Sequence, residues 1–168
     1  MFDAVFVGGG VIGLASAWRA QEAGLSVCVL ERDRVGSGAS RVAAGILAPD
    51  SEAEPGSEPF VHFARRSLAL YPRLVEELGV DVGFWPSGML VVAVDPDEVE
   101  QIIHAFRGLE WLTASACRTL EPGLAPAICG GLFSEQEASV DPRRLAQLLK
   151  RRRDADRDAG RRHERARR

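Results

Sequence analysis

The sequence has no long hydrophobic run and few cysteines, and these two absences limit what the protein can be. No stretch approaches the roughly 20 consecutive apolar residues of a membrane-spanning helix, so we expect no integral membrane segment. Cys28, Cys117 and Cys129 form no C-x-x-C pair and no metal-like cluster with the three histidines, so no metal site is predicted. The N-terminus shows no basic leader before its apolar stretch. A reduced, cytoplasmic setting is therefore the default expectation.

Basic residues are outnumbered over most of the chain. The formal net charge of the 168 residues is −3, yet residues 151–168 alone hold nine arginines against four acidic residues. The first 150 residues are accordingly acidic, whereas a nucleic-acid-binding domain would carry a basic patch on its folded surface. We therefore predict no nucleic-acid partner, and a basic, solvated, low-complexity tail over 151–168.

Glycine, by contrast, is concentrated near the N-terminus. Gly8, Gly10 and Gly13 have the G-x-G-x-x-G spacing within VGGGVIGLASAW. Around them the pattern changes from that of a buried strand to that of a helix and back again. The predicted elements are a buried strand (3–8), a helix (11–23), a stop at Gly24 and a second buried strand (25–31).

These elements form a βαβ unit of about 30 residues, so the predicted fold class is α/β with a Rossmann-like unit. The first glycine of the motif permits the tight turn, the second admits a pyrophosphate, and the third lets the helix pack on the sheet. Phosphate would be held at the helix N-terminus. Glu31 ends the second strand close to the roughly 20 positions expected for a carboxylate that binds a ribose hydroxyl. We predict an adenine dinucleotide, with NADP disfavoured by Glu31. The alternative is a plain glycine turn.

Further along, short helices and strands follow one another. We predict a helix over 60–79 that Pro72 breaks near Tyr71, followed by two strand pieces in 83–94 joined by a Pro-Ser-Gly turn. A helix capped by Asp95 is predicted from Pro96 to about Phe106, and a short helix over 113–120. Strand and loop are predicted over 127–140, and a helix capped by Asp141 begins at Arg143.

A second small-residue stretch, GSGASRVAAGILAP (36–49), follows Glu31. Together with residues 3–33 it resembles the N-terminus of the FAD-dependent D-amino-acid oxidase superfamily, most of all the glycine oxidases of bacterial thiamine biosynthesis. The resemblance implies that FAD is the cofactor and that this stretch passes beneath it, where short side chains leave room. Carried over to this sequence, the cofactor-binding residues are Gly8, Gly10, Val11, Ile12, Gly13, Glu31, Arg32, Ala39, Ser40, Ala44, Gly45, Ile46 and Val140.

The resemblance continues more weakly through FWPSGMLVVA and through the segment that ends in SVDPRRLAQLL. It implies an FAD-binding unit with its flavin loop over 1–49 and part of an α+β substrate domain over 50–137. Residues 138–150 would return the chain to the FAD-binding domain, where Val140 contacts adenine through its backbone. The tail (151–168) follows.

The chemistry that the resemblance implies is oxidative deamination of glycine or another small amino acid or amine. Hydride passes from the substrate Cα to the flavin, and water hydrolyses the resulting imine to a 2-oxo acid and ammonia. Dioxygen or another acceptor then takes the electrons, giving hydrogen peroxide when it is dioxygen. The expected partners are thus an amine substrate and an electron acceptor, and the chain could form a homo-oligomer. No residue earns a catalytic assignment, because Arg65, Arg66, Tyr71 and His104 are expected on solvated helix surfaces.

Members of the resembled family are roughly twice as long, beyond the size typical of one domain. The arginine that clamps the substrate carboxylate is expected outside this sequence, so we expect an incomplete, truncated form. A slip of the reading frame near Lys150 is a second hypothesis for the tail. Alternatives to the oxidase are a non-catalytic FAD-binding module and an inactive fragment, and, within the family, a D-amino-acid dehydrogenase or a sarcosine-oxidase-like enzyme.

Overall fold

The computed structural model of the chain describes residues 1–52, 57–106 and 109–166, with side chains as far as residue 154. The chain divides into two units. Since contacts alone assign no function to either unit, the domain limits given above stay a prediction. Unit 1 comprises Met1–Gly45, Arg73–Gly83 and Val140–Arg168, and unit 2 comprises Ile46–Pro72 and Phe84–Ser139.

Unit 1 begins with the βαβ unit that the glycine pattern predicts. Strand β1 (Ala4–Val7) pairs in parallel with β2 (Val27–Leu30), and helix α1 (Val11–Glu22) connects them. Gly24 follows α1 with a φ of +86°, a left-handed conformation that glycine adopts without steric cost. The prediction of a parallel strand–helix–strand unit is therefore confirmed.

The core of unit 1 lies between α1 and α7 (Pro142–Ala166). From α1, Leu14, Ala17 and Trp18 are completely buried, and α7 contributes the buried side chains of Leu145, Ala146 and Leu149. The spacing of these residues places each set on one face of its helix. Helix α7 thus holds the glycine-bearing helix in place from the far end of the sequence.

The two parallel strands are less buried than their sequences predict. Val5 and Leu30 are more than half exposed, and Val7 is 87% exposed. Near-continuous apolar strands are typical of parallel sheets that are covered on both faces. In the described part of the chain, this sheet has only two strands. The prediction of two buried strands is therefore wrong for this chain.

Asp141 caps α7 as predicted, because its Oδ1 accepts from the backbone N–H groups of Arg143 (2.9 Å) and Arg144 (3.1 Å). The helix then continues to Ala166, whereas the sequence pattern predicted a solvated tail from residue 151. Residues 151–166 lack the regular spacing of apolar side chains that is typical of a packed helix. A helix still forms there, since arginine and alanine have high helix propensity. Unit 1 also contains the single turn α2 (Ala39–Val42).

Unit 2 contains five strands, which are β3 (Ile46–Leu47), β4 (Met89–Ala93), β5 (Glu110–Thr113), β6 (Gly130–Ser134) and β7 (Ala138–Ser139). Strands β4, β6 and β5 form an antiparallel sheet in that order, and β3 pairs with β7. The helical break near Tyr71 and the Asp95 cap, which forms a capping box with Glu98, are confirmed. The first strand piece predicted in 83–94 is wrong, because only a bridge from Trp85 to Ser139 forms there. The helices of unit 2 are α3 (Glu58–Leu68), α5 (Pro96–Ala105) and α6 (Ala114–Leu120). Helix α4 (Tyr71–Leu78) belongs mostly to unit 1, which includes Arg73–Gly83.

Candidate dinucleotide site

The turn between β1 and α1 is built so that strand and helix approach each other closely. Gly8 has a φ of +104°, which L side chains rarely adopt, and a Cβ on Gly13 would lie 2.0 Å from the Gly8 carbonyl oxygen. At the start of α1, Gly10 makes no side-chain cap. The first N–H groups of a helix need partners from outside the helix, and together with the helix dipole they favour an anion.

Ser40 stands at this helix N-terminus. Its Oγ accepts a hydrogen bond of 3.0 Å from the backbone N–H of Val11. A Cβ on Gly10 would lie 3.1 Å from the same oxygen. The small-residue stretch is therefore folded against the glycine turn, although the two are separated by almost 30 positions in the sequence.

Glu31 lies beside the turn from the other strand. Its Oε2 accepts from the N–H of Gly9 at 2.7 Å, and its Oε1 accepts from the N–H of Asp33 at 3.0 Å. The Gly9 bond, followed by the Asp33 bond, holds the pKa of the Glu31 carboxyl below its usual value. An ionised carboxylate can accept about four hydrogen bonds, so each oxygen keeps capacity for a further donor such as a ribose hydroxyl.

Within the small-residue stretch, Gly45 meets Val140, which directly follows β7. The Val140 N–H donates to the Gly45 carbonyl at 2.9 Å. Gly45 has a φ of +81°, and a Cβ there would lie 1.9 Å from the Val140 carbonyl oxygen. Only glycine permits this approach. In unit 2, Ile46 pairs with Ser139 and is half exposed.

The structure thus joins some of the predicted cofactor residues directly and leaves others on the surface. Three contacts bring predicted residues together: Gly8 with Gly13, Ser40 with Gly10 and Val11, and Gly45 with Val140. Ile12 is 81% exposed. Arg32, Ala39 and Ala44 are also exposed.

Sequence reasoning missed two residues, one in the glycine turn and one in unit 2. Gly9 supplies the N–H that orients Glu31, and the run of three glycines could have signalled it. Glu137, a completely buried acid in unit 2, carried no signal, because its partners lie more than 80 positions away in the sequence.

The chemistry of these groups fits an adenine dinucleotide. Backbone N–H groups at a helix N-terminus suit the pyrophosphate, and the ionised Glu31 suits a ribose. The Gly8–Gly13 contact leaves no room for a side chain there. Within the described residues no group of histidines, cysteines and acids could hold a metal ion. No helix among those residues is long and apolar enough to cross a membrane.

Comparison with known proteins identifies the class. Residues 3–165 match the family model described as FAD dependent oxidoreductase. The chain belongs to this family of FAD-dependent oxidoreductases, and its cofactor is FAD. The match reaches further than the resemblance in the sequence, which ended near residue 149.

Within that family the similarity is to glycine oxidases. The chain is 34% identical over 160 residues to a glycine oxidase of Geobacillus kaustophilus, covering 88% of this chain and 42% of that relative. It is 38% identical over 145 residues to a putative thiamine biosynthesis oxidoreductase, ThiO, of Rhizobium etli, covering 84% of this chain and 43% of that relative.

Solved structures also include a glycine oxidase that is similar to this chain. The crystal structure of glycine oxidase from Geobacillus kaustophilus superposes with a TM-score of 0.86 at 33% identity, covering 92% of this chain and 45% of that one. The iminodiacetate oxidase of Chelativorans, at 22% identity and a TM-score of 0.76, shares the fold. The chain thus spans less than half the length of the relatives it matches.

Proposed function

We propose that this chain forms the dinucleotide-binding part of an amine-oxidising flavoprotein. The pyrophosphate of FAD would lie at the N-terminus of α1 beside Val11, against the N–H groups of Ile12 and Gly13, and the adenosine ribose against Glu31. Val140 would contact the adenine through its backbone. Ala44, Gly45 and Ile46 would face the flavin end, and Arg32, Ala39 and Ser40 would complete the contacts.

The observation that carries the proposal is the position of Glu31. Its carboxylate is held 2.7 Å from the N–H of Gly9, within the turn that would cradle the phosphates. A glycine turn that only packs a helix on a sheet needs no ionised acid at this position. The geometry therefore supports a bound ribose rather than a plain turn.

The proposed reaction is the oxidation of glycine or another small amino acid or amine. When bound, FAD supplies the acceptor for hydride leaving the substrate Cα, and water hydrolyses the imine to a 2-oxo acid and ammonia. Dioxygen or another acceptor takes the electrons, and it forms hydrogen peroxide if it is dioxygen. The residues of this chain would bind and orient the cofactor. The similarity to glycine oxidases supports glycine as the first substrate to test.

A visible absorption spectrum of the purified, desalted chain tests the first step. We expect a flavin band at one FAD per chain, either as purified or after addition of FAD. Anaerobic addition of glycine then tests whether the bound flavin is reduced, which would bleach this band. A chain that stays colourless and takes up no added FAD would contradict the proposal.

A second candidate is a non-catalytic FAD-binding module. The contacts of Glu31 and Ser40 at the glycine turn favour it, since they suit a cofactor and involve no substrate-binding side chain. Both candidates predict a flavin band. Peroxide formation that depends on glycine or another small amine supports the oxidase, and stoichiometric flavin without any amine-dependent bleaching supports the module.

Self-association and a cytoplasmic setting belong to the same proposal. The exposed side chains of Val5 and Val7 support self-association, because soluble monomers rarely leave large apolar patches uncovered. The three free cysteines support a reducing compartment. Light scattering of the flavin-loaded chain should give a multiple of the mass of one 18.2 kDa chain with its FAD.

A further inference from the structure

Unit 2 contains a buried acid that the dinucleotide site does not use. Glu137 lies between β6 and β7 in the sequence, and its side chain is completely buried. Its Oε1 accepts from the backbone N–H groups of Asp50 and Ser51, each at 2.7 Å, and its Oε2 accepts from the Ser51 hydroxyl at 2.6 Å. Burying a carboxylate is costly unless it is hydrogen-bonded. All three donors come from one two-residue segment, so the carboxylate orients that segment in particular.

The segment that Glu137 holds is the continuation of β3. Ile46 and Leu47 pair with Ser139 and Ala138 of β7, and the chain then leaves the ladder. Glu137 precedes β7 directly and reaches across to Asp50 and Ser51. Residues 46–51 are therefore fixed at one end by strand pairing and at the other by a buried carboxylate.

A second contact extends this arrangement to α3. Arg65 donates from its Nε to Asp50 Oδ1 at 2.7 Å, and its Nη2 donates to the same oxygen. The segment and α3 form walls of an apolar groove of about 330 Å³. Ile46, Leu47, Pro49, Phe60 and Phe63 are among its lining residues. The Arg65–Asp50 contact thus links the segment that Glu137 holds to α3.

We propose that Glu137 is a positioning residue of the flavin site, because its carboxylate fixes residues 46–51 and with them Ile46. The inference rests on the proposed function, which places Ile46 against the flavin end of the cofactor. Glu137 acts without touching the cofactor. It holds the main chain so that Ile46 and the adjacent groove keep one geometry.

The test compares Glu137→Gln with Glu135→Gln, which removes the same charge from an exposed neighbour. Hydrogen exchange measures whether the Asp50 and Ser51 amides lose protection, and FAD titration gives the dissociation constant. Visible circular dichroism of the bound flavin, at saturating FAD, reports its surroundings. In Glu137→Gln we expect faster exchange at both amides, a dissociation constant raised by about tenfold and an altered dichroism band. Glu135→Gln should match the parent chain in all three.

A merely structural role would lower the thermal stability of Glu137→Gln yet leave the flavin dichroism of its folded, saturated form unchanged, and that result would overturn the proposal. Equal exchange rates in the parent chain and Glu137→Gln would also overturn it. If Glu137→Gln does not fold, Ser51→Ala removes one of the three bonds and should show the same changes to a smaller extent; parental flavin binding and dichroism in Ser51→Ala would then count against the proposal.

The exchange measurement needs no flavin, so it separates this inference from the proposed function. A parent chain that binds no FAD would refute the proposed function and the flavin role of Glu137 together. In that case the exchange rates would still show whether Glu137 holds residues 50 and 51.

Discussion

Gly13 faces Gly8 so closely across the first turn of α1 that a Cβ on Gly13 would lie 2.0 Å from the Gly8 carbonyl oxygen. The contact places the start of the helix directly against the end of β1. It leaves the first helical N–H groups at the strand end, where the predicted pyrophosphate would lie. The third glycine of the motif is thus required by packing, whether or not a cofactor is bound.

Gly13→Ala should therefore destabilise the chain even without FAD. Inserting a methyl group into a tightly packed position costs about 1–3 kcal/mol of unfolding free energy. Gly38→Ala is the matched control, because a Cβ there meets nothing within 4 Å. Urea unfolding of both variants measures the difference. Equal midpoints for Gly13→Ala and Gly38→Ala would show that the contact is relieved at little cost.

Gly10→Val should separate folding from cofactor binding. Gly10 has a φ of −79° and a ψ of −179°, an extended conformation that valine adopts readily. The added Cβ meets only the Ser40 hydroxyl, at 3.1 Å. We expect a native circular dichroism spectrum and no retained flavin, because the branched side chain would occupy the place of the pyrophosphate. Unchanged flavin content would contradict the assignment of the glycine turn to phosphate binding.

Glu31→Ala should weaken FAD binding by about tenfold or more, the loss expected for a hydrogen bond to a charged group. Asp33→Ala provides the control, since Asp33 is exposed two residues further on. Isothermal titration of the apo protein with FAD measures both dissociation constants. If the two variants bind FAD equally well, Glu31 does not hold the ribose.

Asp141 should make stability depend on pH in the acid range. The backbone N–H of Arg144, and then that of Arg143, lower the pKa of the Asp141 carboxyl. A lowered folded pKa gives stability that is present above the unfolded value, about 3.9, and is lost as the pH falls through the lowered folded value. Asp141→Asn, which cannot titrate, should lose less stability than the parent chain between pH 6 and 2. If the unfolding free energies of the parent chain and of Asp141→Asn fall equally across this pH range, the expectation is refuted.

Leu149→Ala tests whether α7 stabilises unit 1. Leu149 is completely buried in the core between α1 and α7, so its truncation should cost about 2–5 kcal/mol. The adjacent Lys150 is exposed, and Lys150→Ala should leave the unfolding free energy nearly unchanged. Thermal unfolding followed by far-ultraviolet circular dichroism compares the two. If Leu149→Ala lowers the unfolding free energy only slightly, α7 contributes little to the stability of the core.

Local patterns allowed several features to be predicted. The glycine spacing indicated the turn, Gly24 indicated the end of α1, and Asp95 and Asp141 indicated two helix starts. Strand β5 was missed because its four residues have too short a pattern to separate from the helix that follows. The exposure of Val7 was also missed, because an apolar strand sequence does not show how many neighbouring strands cover it.

The sequence by itself determined the βαβ unit and its glycine turn, because the backbone conformations of glycine and the spacing of apolar residues act over a few positions. Only the tertiary structure decided that Ser40 stands at the N-terminus of α1, that Val140 meets Gly45, and that Glu137 holds Ser51. These contacts join residues far apart in the chain. Their hydrogen bonds depend on how whole elements pack, and no short-range pattern in the sequence specifies that packing.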